Sequence, residues 1–92
     1  MSKSRKTAPF SSEYRRFCRL LKEAREEAGI TQVVLAKHLR KHQSYVAKYE
    51  SGERRLDVIE FLRIAQVLSA DPAILLRRIQ IGSIIQPQSN IQ

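Results

Sequence analysis

The sequence contains too few residues of several types to belong to certain classes of protein. Among 92 residues there is one cysteine, Cys18, and no tryptophan. One thiol cannot close an internal disulfide or supply a zinc site by itself. No apolar run approaches the roughly 18 residues that cross a bilayer as a helix. The sequence therefore argues against a disulfide-rich domain, a zinc module and a membrane-spanning chain.

Acidic residues are also scarce. Lys and Arg number 17 against 9 Asp and Glu, so the formal net charge is +8. Such a balance favours a polyanionic partner, either nucleic acid or an anionic membrane surface. The charged residues are spread among apolar residues as in a globular domain, which disfavours a membrane-surface peptide. The basic residues 1–9 have no apolar stretch behind them and do not form a secretory signal, so we expect a cytoplasmic, nucleoid-associated protein.

Features that carry catalysis are missing as well. There is no Gly-rich phosphate loop, no clustered carboxylates at an acid–base spacing, and no nucleophile beside a base. His38 and His42 lie four residues apart, which is a metal-ligand spacing on a continuous helix. A predicted turn separates them. We therefore predict no enzyme activity, cofactor, metal or small-molecule substrate.

No alternation of β-branched residues is present, so the pattern predicts an all-α, compact five-helix domain. Helix starts are marked by capping residues: Ser11 or Ser12, Thr31, Asp57 in a capping box with Glu60, and Asp71 before Pro72. The predicted helices cover residues 11–28, 31–39, 43–51, 58–68 and 73–80. Residues 1–10 would be a flexible basic arm, residues 11–81 the domain, and residues 82–92 a tail.

Apolar spacing predicts the buried faces of the helices. On the first helix it selects Tyr14, Phe17, Leu21, Ala24 and Ala28, with Cys18 as a small core residue beside them. On the fourth helix it selects Val58, Phe61, Leu62, Ala65 and Leu68. The second and third helices are short, are joined by the polar turn 40–42, and have the small Ala36 where they cross. That arrangement predicts a helix-turn-helix.

Residues 20–76 contain further motifs whose spacing matches that of a known protein family. They are residues 21–25, 29–32, 35–36 with Leu39, 43–44 with Val46, 49–55, Leu62, 64–65 and Leu68. In these residues the chain resembles the Cro and Xre-type helix-turn-helix regulators, a group that includes phage repressors. The resemblance implies transcription control by a dimer on two-fold operator DNA. It also implies a structural role for Glu50, such as pairing with Arg25.

The chain departs from that family at the turn. Arg40 stands where the family usually has Gly, and a non-Gly residue there in left-handed geometry would cost on the order of 1 kcal/mol. Lys41 replaces an apolar residue, and His42 stands where Ser, Thr or Pro is common. The substitutions add positive charge on the side that should face DNA.

A recognition helix presents its N-terminal residues to base edges in the major groove. The predicted base contacts are Gln43, Ser44, Ala47 and Lys48. Gln43 is the strongest candidate, because its amide can bond N6 and N7 of adenine together. Ser44 discriminates weakly, and Lys48 could reach a guanine or a phosphate.

Residues on both flanks are predicted to contact the DNA backbone: Gln32, Arg40, Lys41, Tyr45, Arg54 and Arg55. Gln32 lies in a first helical turn, where free N–H groups attract anions. Tyr45 could instead touch a thymine methyl group. Each charge taken singly could also be an ordinary solvated one.

One short helix reads few base pairs, so we expect a homodimer on an inverted repeat that represses transcription. The dimer surface is predicted from the fifth helix and the tail: Ile74, Ile79, Ile81, Ile84 and Ile85. The alternative is a protein-interaction module on the same fold, such as an antitoxin or anti-activator, with a regulatory protein as its partner.

Overall fold

The computed structural model describes residues 11–79, and within that range every regular element is an α-helix. The five helices are α1 (Ser12–Glu27), α2 (Gln32–Leu39), α3 (Gln43–Glu50), α4 (Val58–Leu68) and α5 (Pro72–Arg77). The predicted all-α, five-helix fold is confirmed. None of these helices is long and apolar enough to cross a membrane. The predicted arm and tail, residues 1–10 and 82–92, lie outside the described residues.

Local capping chemistry sets the helix starts, as the sequence predicts. The side-chain oxygens of four residues accept first-turn backbone N–H groups: Ser11, Thr31, Asp57 and Asp71. At α4 the capping box is complete. Asp57 Oδ1 accepts from Glu60 N at 2.7 Å, and Glu60 Oε1 accepts from Asp57 N at 2.9 Å.

Two helices end at a non-glycine residue in left-handed conformation. Arg40 has φ 60° and Ser69 has φ 56°. Behind Arg40, Lys41 N donates to Ala36 O at 2.9 Å, a bond that is typical of a helix ending in left-handed geometry. The left-handed geometry predicted for Arg40 is confirmed.

The fifth helix is shorter than predicted. It ends at Arg77 rather than near residue 80. Arg78 N and Ile79 N bond the carbonyls of Leu75 and Leu76 at 3.1 Å each, three residues back. Bonds at that spacing tighten the chain into a turn and stop the α-helix.

The core forms around α3, whose Val46 and Tyr49 are fully buried. Leu21 of α1, Leu35 of α2 and Ile64 of α4 close over them, each with no exposed surface. Cys18 is 1% exposed, which confirms it as a core residue. A helix buried along one side in this way keeps its opposite side for solvent or a ligand.

The predicted buried faces of α4 and α1 are partly wrong. Val58 is 68% and Leu62 43% exposed, and the buried face of α4 is instead Phe61, Ile64, Ala65 and Leu68. Apolar residues surround most of this helix, so periodicity alone does not select the inward side. Ala28 is also exposed, because it caps the C-terminal end of α1 just before the chain turns at Gly29.

Candidate nucleic-acid interface

Helices α2 and α3 form the predicted helix-turn-helix. Ala36 is 2% exposed, which places the small residue in the packed interior as the crossing requires. The turn ends on His42, whose Nδ1 accepts from Ser44 N at 3.1 Å and so caps α3. Sequence reasoning missed this cap, although an acceptor directly before the first residue of a helix was the available signal.

The predicted base-reading residues lie on the outward side of α3. Gln43, Ser44 and Lys48 are exposed and Ala47 is partly exposed. Val46 and Tyr49, between them in sequence, are both 0% exposed. Because the inward residues are fixed in the core, the outward ones present a rigid polar surface.

A hydrogen-bonded chain joins the core to the exposed start of α3. Arg25 Nε donates to Glu50 Oε2 at 2.7 Å, and Arg25 Nη2 donates to Glu50 Oε1 at 3.0 Å. Glu50 Oε1 also accepts from Gln32 Nε2 at 2.9 Å. Gln32 Oε1 in turn accepts from Gln43 Nε2 at 2.9 Å. This connected set, Arg25–Glu50–Gln32–Gln43, is named the relay below.

The ion pair at the inner end of the relay is almost dry. The side chains of Arg25 and Glu50 are 10% and 3% exposed. The hydrogen bonds that Arg25 donates to Glu50 raise the pKa of Arg25, against the opposing effect of burial. The pairing implied by the family resemblance is thus confirmed. Arg25 Nη1 also donates to Ile30 O at 2.8 Å, which ties the α1–α2 connection to the same pair.

On the other flank of α3, Tyr45 lies between two cations. The Arg54 guanidinium carbon is 4.7 Å and Lys41 Nζ 5.2 Å from the ring centroid. Arg54 also pairs with Glu60 at 3.3 Å. Burial and the nearby Glu60 charge raise the pKa of Tyr45 to about 12. Three predicted backbone-contact residues therefore lie together, and Arg54 is already held by a carboxylate.

The loop between α3 and α4 is fixed by Tyr14. Its hydroxyl donates to Arg54 O and accepts from Leu56 N, at 2.9 Å each. The Arg55 guanidinium carbon lies 4.8 Å from the centroid of the Tyr14 ring. Burial is the main cause that raises the pKa of Tyr14 to about 12. The two bonds by which the Tyr14 hydroxyl holds this loop are named the Tyr14 clamp. The sequence predicted Tyr14 only as a core residue, because its spacing does not indicate a contact with the loop.

The two remaining backbone-contact candidates lie apart from this cluster. Gln32 belongs to the relay, in which its side chain donates to Glu50 at the end of α3. Arg40 is exposed in the turn, and its side chain has no hydrogen bond or ion pair among residues 11–79. Gln32 thus lies on one flank of α3, and Lys41, Tyr45, Arg54 and Arg55 lie on the other. Arg40 lies in the turn between α2 and α3.

A helix-turn-helix with a buried inner face and a polar outer face on its second helix is the arrangement that DNA-binding domains present to the major groove. A family model described as helix-turn-helix matches residues 21–75. An XRE-family like protein from Pseudomonas syringae pv. tomato str. DC3000 is similar in structure, with 47% identity and a TM-score of 0.70. That match covers 74% of this chain and 83% of the other.

The restriction-modification controller protein C.AhdI from Aeromonas hydrophila is also similar. The identity is 30% and the TM-score 0.65, over 70% of this chain and 93% of the controller protein. A search among curated proteins finds no significant match. The chain belongs to the Xre-type helix-turn-helix family, as the sequence predicts, and is a DNA-binding transcription regulator.

Proposed function

We propose that the protein is a sequence-specific repressor that binds an inverted-repeat operator as a homodimer. The observation that carries the proposal is the relay, which holds the Gln43 amide at the exposed start of α3. The protein acts by binding alone, without catalysis. Its site of action is the nucleoid in the cytoplasm.

The relay has a fixed direction. The Glu50 carboxylate, which pairs with Arg25, offers only acceptor oxygens, so Gln32 must donate its amide N–H to it. That leaves Gln32 Oε1 facing Gln43, which must donate in turn. Gln43 keeps its own Oε1 and a second N–H for a ligand. Adenine presents a donor at N6 and an acceptor at N7, which matches this pair of groups.

The other outward residues of α3 extend the contact to neighbouring base pairs. Ser44 can donate or accept, and the methyl group of Ala47 suits a thymine methyl. Lys48 lies one turn further along the helix and reaches either a guanine or a phosphate. Four residues spread over two turns read only a few base pairs, which supports a two-fold operator.

Phosphate contacts are proposed on both flanks. On one, the backbone N–H of Gln32 in the first turn of α2 meets a phosphate, since its side chain is engaged in the relay. On the other, Lys41, Tyr45 and Arg55 meet the opposite strand, and Arg54 joins them from its position over Tyr45. Arg40 contributes from the turn.

Exposed apolar side chains support a homodimer. On α5, Ile74 is 48% and Leu76 50% exposed, and on α4 Ile59 is 54% exposed. Ile79, also predicted for the dimer surface, packs against the core. Ile81, Ile84 and Ile85 lie outside the described residues. In sedimentation equilibrium we expect Ile74→Glu to give monomers, whereas Val33→Glu, at a site on α2 that is 55% exposed, leaves the dimer intact.

Selection of bound duplexes from a random pool at about 150 mM salt tests the function, because non-specific phosphate binding is weakened there. We expect an inverted repeat with adenine in each half-site. Gln43→Ala should abolish the preference at that adenine, and Gln66→Ala, an exposed glutamine on α4, should not. Recovery of no preferred sequence would refute the proposal in favour of a protein partner.

A further inference from the structure

A groove runs between α1 and the C-terminal end of α3. Its volume is about 290 Å³. Arg15, Arg19 and Lys22 line it from α1, and Ser51 and Gly52 line it from the end of α3. These five residues are named the basic groove. The stem of Arg15 lies beside Gly52, where an added Cβ would be 3.9 Å from Arg15 Cγ.

No cation of the basic groove forms an ion pair within residues 11–79. The two ion pairs of that range are Arg25–Glu50 and Arg54–Glu60, and neither involves a cation of the groove. Glu50 also borders the groove, but Arg25 already neutralises it. Arg15, Arg19 and Lys22 are exposed and follow each other at helical spacing, so they repel one another. An extended anion would relieve that repulsion.

The position of the basic groove follows from the direction of α3. The N-terminal residues of this helix face the bases, and its C-terminal end leads out of the major groove toward the sugar-phosphate backbone. Ser51 and Gly52 lie at that end and form one wall of the basic groove. A DNA strand leaving the recognition helix would therefore pass the three cations.

We infer that the basic groove binds the phosphodiester backbone of the same duplex, at the outer edge of each half-site. This inference rests on the proposed DNA binding and extends its contact surface from α2 and α3 to α1. The lining favours a polyanion over a protein partner. Apart from the buried Cys18 and from Gly52, the lining side chains are charged or polar, and they include no exposed aromatic or aliphatic anchor of the kind that the core of a protein interface requires.

The test compares two double variants of the full chain on the selected operator. Arg19→Gln with Lys22→Gln removes two groove charges. Arg63→Gln with Arg77→Gln removes two exposed charges from α4 and α5. Each lost phosphate contact lowers the slope of log K against log salt by about 0.9. Two charges per protomer are four contacts per dimer, so the slope should become shallower by about 3.6. Between about 50 and 200 mM salt, the affinity of the groove variant should therefore fall by a factor on the order of 100 times smaller than that of the wild type.

We also expect the groove variant to keep the base preference of the wild type. The control variant should keep the wild-type slope of log K against log salt. If the groove variant keeps the wild-type slope and affinity, the inference is overturned, and the groove is left for an acidic protein surface. That result differs from a failure of the proposed function, in which the wild-type protein itself would select no sequence.

Discussion

Arg25 and Glu50 belong to different helices, yet two hydrogen bonds of 2.7 and 3.0 Å join their side chains in a nearly dry setting. The pair connects the long scaffold helix α1 to the last residue of the recognition helix. It also supplies the negative charge that orients Gln32 and, through it, Gln43. In the proposed complex, both the stability of the fold and base recognition therefore depend on the Glu50 carboxylate.

Truncation of that carboxylate should be costly. We expect Glu50→Ala to lower the free energy of unfolding by about 3 kcal/mol, because it leaves the Arg25 charge buried without its partner. Urea denaturation measures the change. The double variant Arg25→Met with Glu50→Leu should recover part of the loss, since it buries no unpaired charge. A loss below about 1 kcal/mol for Glu50→Ala would contradict the structural role.

The left-handed Arg40 gives a prediction that separates stability from DNA binding. Arg40→Gly should stabilise the fold by roughly 0.5–1 kcal/mol, because glycine adopts positive φ without steric cost. It should also make the salt slope of operator binding shallower by about 1.8, because the dimer loses one phosphate contact from each protomer. Ser69→Gly is the matched control. Its φ of 56° is similar, so it should stabilise the fold with no change in the slope.

Removal of the Tyr14 hydroxyl and removal of the Tyr49 hydroxyl should have opposite effects on stability. Tyr14→Phe deprives Leu56 N and Arg54 O of their partner, and should cost about 1–2 kcal/mol. The Tyr49 hydroxyl is buried without a hydrogen-bond partner among residues 11–79. Tyr49→Phe should therefore be neutral or stabilising. Thermal unfolding of both variants measures the contrast, and equal losses would argue against it.

Acid should weaken the α3–α4 connection. The N–H of Asp57 and then the Arg54 side chain hold the pKa of Glu60 below its ordinary value. A carboxyl group with a lowered folded-state pKa stabilises the fold above its unfolded-state pKa of about 4.3. That contribution is lost as pH falls through the folded-state pKa. Glu60→Gln should flatten the decline of stability below about pH 4.3, and an unchanged acid profile would refute the assignment.

Gln32 should affect base recognition although it faces no base in the proposed complex. Gln32→Ala removes the acceptor that orients the Gln43 amide. We expect it to reduce discrimination at the adenine that Gln43 reads, within the roughly 1–3 kcal/mol of a bidentate contact. The double variant with Gln43→Ala should lose little more than Gln43→Ala alone. Additive losses, measured as relative Kd on matched and mismatched operators, would show that the two residues act separately.

The sequence predicts the local features of this fold and misses the distant ones. Capping residues and the polar turn act within a few positions, so the helix starts follow from residue types. The inward face of α4 does not, because Val58, Leu62 and Ile64 are equally apolar and packing alone chooses among them.

At the candidate site the same limit applies. The outward residues of α3 are the predicted ones, because Val46 and Tyr49 of the same helix are buried. The Tyr14 clamp joins residues 40 and 42 positions apart, and the Gln32–Gln43 bond spans 11 positions. No periodic pattern encodes such pairs. The exception is Arg25–Glu50, which family resemblance supplied.

The relay also divides the reading surface into constrained and unconstrained positions. Gln43 is bonded to Gln32, and Ser44 is bonded to the His42 cap. The side chains of Ala47 and Lys48 have no hydrogen bond or ion pair among the described residues. A descendant of this protein could exchange them singly and acquire a different binding site, whereas a new residue at 43 would require a compensating change at 32. Evolutionary drift in operator preference is therefore expected to begin one turn into α3.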